Sequence, residues 1–167
     1  MAATYLLSLY PAMLGAFGMT ATTVHALLLH TKTRYNIKDE TTGEKLLTFP
    51  YDSKQVVPGK EDQVARAFRT HRAYENAKEW TGLTLPFLFC TSLYGASIPY
   101  VTEQTNRWVV GVTATGWCIG NLLFIQGYKE SFEGRMTGFK LRTAMSRVYM
   151  YMGCLGLLCY GKKQVLG

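Results

Sequence analysis

Hydrophobic and polar positions divide the chain into four apolar stretches with polar connections between them. No Asp, Glu, Lys or Arg occurs from Met1 to Thr31, from Trp80 to Thr102, from Trp108 to Tyr128, or from Val148 to Gly161. A helix needs roughly 20 apolar residues to cross a bilayer core. The first three stretches meet that length, and the fourth does if Arg147 is tolerated within it. Runs this long are hard to bury in so small a soluble chain. The pattern therefore predicts an all-α fold, an integral membrane four-helix bundle in a single domain over 1–167. Its helices are expected at about 5–30, 62–97, 107–128 and 139–160, with a long polar loop at about 31–61.

Local signals set these limits. Pro11 is tolerable near the start of a membrane helix. Gly15, Gly18 and nearby alanines offer small faces for close packing. Thr41-Thr42-Gly43, Pro50 and Pro58-Gly59 are turn signals in the long loop. Glu61 and Asp62 suit the N-terminus of the second helix, Pro86 is expected to kink it, and Pro99 to stop it. Gly116 and Gly120 form a GxxxG packing pair in the third helix. The first stretch lacks a basic leader and is too long for a signal-peptide core, so it reads as the first membrane helix.

Composition supports a membrane class. Hydrophobic residues are 48% of the chain and charged residues only 17%, against about 25% in soluble domains. The net charge is +7. Its basic residues bracket the apolar stretches instead of forming a tract, which argues against a nucleic-acid partner. Most fall in the first and third connections, so these face the cytosol or an equivalent compartment and both termini face away. Cys90, Cys118, Cys154 and Cys159 all lie in apolar stretches, where cysteine acts as a small hydrophobe. No Cys or His spacing suggests a metal site. His25, His30 and His71 read as packing or interfacial residues.

The chemistry concentrates where the second apolar stretch begins. At about 100° per residue, Arg69, Arg72, Asn76 and Glu79 share an arc of roughly 80° on one helix face. Such a face can satisfy itself, Arg72 reaching Asn76 or Glu75 and Asn76 reaching Glu79. It can equally hold a small zwitterionic or peptidic anion, because guanidinium forks grip carboxylates and a glutamate takes an amine. A second group is Gln126-Gly127-Tyr128 with Arg135 beyond it, residues that also serve as interfacial anchors.

Together these motifs resemble the membrane-associated proteins in eicosanoid and glutathione metabolism (the MAPEG family). The resemblance rests on Arg69, Arg72, Ala73, Asn76 and Glu79, on Gln126-Gly127-Tyr128 with Arg135 and Gly138, and on the four-helix layout with Lys32-Thr33-Arg34-Tyr35 ending the first helix. Within the family the likeness is to microsomal glutathione S-transferase 3-like members. It implies a homotrimeric four-helix bundle in the endoplasmic reticulum or mitochondrial membrane, with glutathione held between subunits. Arg72, Asn76 and Glu79 would bind the peptide, Lys32 would lie near a glutathione carboxylate, and Tyr128 would line the site. Arg135 would be catalytic, favouring the thiolate, which is the actual nucleophile. The expected activity is a glutathione-dependent transferase or peroxidase acting on lipophilic electrophiles or lipid hydroperoxides, with membrane lipids around it.

The chain departs from the family pattern in four respects. Tyr74 replaces a pocket glutamine, Trp80 a tyrosine and Phe124 a second tyrosine, and Thr81-Gly82 stands where a proline is usual. A lost hydrogen bond costs about 0.5–1.5 kcal/mol, so several such losses weaken binding without touching the fold. They define the alternative: a non-catalytic accessory subunit of a larger membrane assembly, such as a mitochondrial complex, among unlike membrane subunits.

Overall fold

A computed structural model describes residues 2–35, 37 and 59–166. The described residues form four α-helices and no strand: α1 Ala2–Tyr35, α2 Glu61–Tyr94, α3 Glu103–Glu130 and α4 Met136–Leu166. Residues 38–58, and with them most of the expected polar loop, lie outside the described residues. Pro11 and Pro86 both sit inside unbroken helices.

The helices run longer than the apolar runs predict, except at the end of α2. There the chain tightens into one 3-10 turn, Gly95–Ser97. Proline disfavours a helical residue before it, and Ile98, which precedes Pro99, is extended at φ −68° and ψ 134°. At the start of α3, Thr102 caps the helix by accepting a hydrogen bond from the Thr105 amide at 3.1 Å. The helix therefore begins at Glu103, not near Arg107; the Thr102-to-Thr105 spacing carries the signal. Gly138 does not delay α4, because it serves close packing. A Cβ there would overlap the Phe124 backbone nitrogen.

In the bundle, α1 and α4 lie on opposite sides of the α2–α3 pair. One core cluster joins Ala12, Met19, Leu88, Val110, Ala114, Trp117 and Tyr149. A second joins Ala26, Ala73, Ala77, Phe124, Ile125 and Tyr128. Small hydroxyls and amides stitch the helices between them. The Thr23 and Thr81 hydroxyls are 2.7 Å apart, Trp117 Nε1 donates to Ser146 Oγ at 2.9 Å, and Tyr149 Oη donates to the Val110 carbonyl at 2.9 Å. Interhelical bonds of this kind suit surroundings without water.

Two of the described helices are long and apolar enough to cross a membrane: α1 within Leu9–Thr33, and α3. Although α2 and α4 carry charge-free runs, these are diluted by Thr, Ser, Gly and Tyr. Absence of charge is a weaker criterion than mean hydropathy, and by hydropathy α2 and α4 do not reach the level of α1 and α3. Large apolar side chains nonetheless face outward on both: Leu83 on α2 is 58% exposed and Leu158 on α4 is 71% exposed.

Candidate functional site

The helical period places Arg72, Glu75, Asn76 and Glu79 along one side of α2, and all four line a cavity of about 350 Å³. Phe124 and Tyr128 from α3 form another wall, and Arg135, Met136 and Phe139 close it. Five of the six residues singled out from the sequence thus meet in one space: Arg72, Asn76, Glu79, Tyr128 and Arg135. The sixth, Lys32, lines a separate cavity of about 370 Å³ with Arg66 and Lys129. Arg69 points elsewhere as well, its Nε donating to the Lys129 carbonyl at 3.4 Å.

The turn between α3 and α4 explains how Arg135 arrives. After Ser131 the chain folds back, and the Gly134 amide donates to Ser131 Oγ at 2.9 Å. The fold-back brings Gly134 against Gly127, where a Cβ would overlap the Gly134 carbonyl oxygen. Gly127 is thus the residue of Gln126-Gly127-Tyr128 that lets the turn close. The Arg135 guanidinium then lies 4.9 Å from the Tyr128 ring centre and 5.5 Å from that of Phe132, a cation–π arrangement. Tyr128 is buried, with its ring 5.4 Å from that of Phe124.

The polar face of α2 does not satisfy itself in the way its spacing suggests. Glu75 pairs with Lys78 at 2.9 Å, and that hydrogen bond and charge raise the pKa of the Lys78 ammonium. Asn76 turns its carboxamide oxygen away from its own helix and accepts from Arg142 Nη2 at 2.7 Å. The other terminal nitrogen, Nη1, donates to Asn121 Oδ1 at 2.7 Å, and Asn121 Nδ2 donates to Thr22 Oγ1 at 2.9 Å. One chain of hydrogen bonds therefore crosses all four helices.

Arg142 is the functional residue that sequence reasoning misses. It is fully buried, with its guanidinium 4.3 Å from the Phe124 ring centre and 5.1 Å from that of Trp80. The sequence counts it among the charges of the third connection. Its place in the sequence, within the expected fourth helix, does not set it apart from the other charges there. Asn121, the one asparagine of the third charge-free run, is its complement.

This arrangement can bind an anion. Two guanidinium groups line the cavity, a third lies beneath it, and aromatic faces exclude water from one side. Charge-assisted hydrogen bonds gain strength in such a place. Glu79 remains on the wall for a cationic group. No family model matches the chain, and no curated protein matches it.

Proposed function

We propose that the cavity binds glutathione and that the protein is a glutathione-dependent membrane transferase or peroxidase. The observation that carries this reading is the meeting of Arg72, Asn76, Glu79, Tyr128 and Arg135, from three parts of the chain, around one space of about 350 Å³. Arginines would take the ligand's carboxylates, and Glu79 its ammonium. Arg135, stacked on Tyr128, would stabilise the sulfur anion after the thiol proton leaves to solvent. In conjugation the thiolate forms a carbon–sulfur bond as the leaving group departs from the electrophile. In peroxide reduction it attacks the terminal oxygen and releases the alcohol. A second glutathione then converts the sulfenic acid to disulfide and water.

The same reading takes α2 and α4 as further membrane spans. The polar turns of α2 project on the cytosolic side, in the endoplasmic reticulum or a mitochondrial membrane. Lipophilic substrates would enter from the bilayer, and three copies would complete the site, Lys32 of one copy adding its charge to the cavity of the next.

Calorimetry in detergent at millimolar glutathione tests the reading, and absence of binding would overturn it. One observation favours the alternative, an accessory subunit without catalysis. Phe124 lines the cavity and presents its ring to Arg142, so a polar contact is missing there. Oligomeric state after mild extraction separates the two. A homotrimer supports the enzyme, whereas a single copy among unlike chains supports the accessory subunit.

A further inference from the structure

We infer that Arg142 is a positioning residue that makes the cavity selective for the ionised form of its ligand, a thiolate in place of a thiol. The inference rests on the glutathione reading and adds the buried Arg142 to Arg135 as a source of the site's preference for the thiolate.

Its basis is a count of charge around the cavity. On α2 the wall carries Arg72, Glu75 and Glu79; on the turn it carries Arg135; α3 adds the Tyr128 ring, and α1 of the same copy adds no charge. These two cations and two carboxylates cancel. Lys78, bonded to Glu75, and the buried Arg142 then leave two positive charges. Glutathione has two carboxylates and one ammonium, so it carries one negative charge as the thiol and two as the thiolate. A neighbouring copy's Lys32 would add one more; in either case Arg142 contributes a positive charge that favours the doubly negative thiolate over the thiol.

Arg142 is not neutralised by its own contacts. Its two hydrogen bonds among the described residues end on amide oxygens, Asn76 Oδ1 and Asn121 Oδ1, and its Nε has no hydrogen-bond partner among them. Its guanidinium also lies against the faces of Trp80 and Phe124, which carry no formal charge. A guanidinium stays protonated in proteins, and a buried charge without a counter-ion is costly. An anion in the adjoining cavity lowers that cost.

Asn121→Asp tests the idea with little change of shape. It sets a carboxylate against Arg142 on the side away from the cavity, and Thr22 can turn its hydroxyl to donate to it. The thiolate absorbance of glutathione bound to purified protein is titrated against pH, and affinity for S-methyl glutathione, which has no ionisable thiol, is measured beside it. In the native protein the bound thiol is expected to ionise below its free value. In Asn121→Asp the midpoint is expected to rise by about one unit, roughly tenfold less thiolate at a pH below both midpoints. S-methyl glutathione affinity should stay within about twofold, a limit well inside the tenfold equivalent of one pK unit. Arg142→Gln should raise the midpoint likewise, and Arg142→Lys should restore part of it. An unchanged midpoint in Asn121→Asp, or equal loss of both ligands, overturns the inference and leaves the glutathione reading standing. If the native protein binds neither ligand, both fall.

Discussion

A Cβ on Gly120 would lie 2.6 Å from the backbone nitrogen of Arg142. That approach is what brings the Arg142 side chain to the middle of the bundle, between Asn76 and Asn121. Gly120→Ala should force α3 and α4 apart. Overpacking of this kind costs about 1–3 kcal/mol, and the displaced guanidinium would lose partners besides. Thermal unfolding in detergent should show a lower Tm for Gly120→Ala. Gly111→Ala, where nothing lies within 4 Å of the added methyl, should leave Tm nearly unchanged.

Arg135 meets the cavity from a turn and packs on the Tyr128 ring without being buried. Its removal should therefore spare the fold and reduce chemistry. Loss of one group that stabilises developing negative charge costs about 100-fold or more in rate. Arg135→Ala should lower kcat/KM for conjugation of an electrophilic aryl halide by that order, with Tm little changed. Arg135→Lys should recover part of the rate, since it keeps the charge and loses the planar stacking.

Phe124→Tyr addresses the missing hydroxyl. The ring already lines the cavity, and the added oxygen stands to gain a hydrogen bond worth about 0.5–1.5 kcal/mol. Glutathione affinity measured by calorimetry should rise about 2- to 12-fold, the same energy expressed as binding. An unchanged or weaker affinity would show that the hydroxyl cannot reach the ligand.

His71 stacks against His30 with ring centres 5.0 Å apart. Burial lowers its pKa from 6.5, outweighing the charge of Glu75, which raises it. A lowered folded pKa means that the unfolded chain binds protons first as pH falls. Stability from neutral His71 is thus complete above about 6.5 and declines below it. Tm should fall on acidification from 7.5 to 5.5, and His71→Gln should flatten that part of the profile.

The α2 face is legible in the sequence because Arg72, Asn76 and Glu79 share one helix, whose period orients them. Tyr128 and Arg135 are legible as a motif, and Gly127 supplies its physical reason in the turn. Arg142 is not legible in the same way. Its role depends on the distance between two helix backbones at Gly120, which spacing along either helix does not encode. The Gly116–Gly120 pair announces close packing, and the structure adds what is packed: Met145 on one glycine and Arg142 on the other. Helix ends depend on local chemistry that apolar runs conceal, such as the Thr102 cap and the extended residue before Pro99.

The hydrogen-bond chain from Thr22 through Asn121 and Arg142 to Asn76 also bears on how the molecule is assembled during synthesis. The second turn of α4 carries a guanidinium into apolar surroundings, where it is costly until amide oxygens meet it. Those oxygens reside on α2 and α3, and Asn121 is itself held by α1. The fourth helix, synthesised after the other three, is therefore the one that needs them already in place, so its docking serves as a check that they have come together correctly.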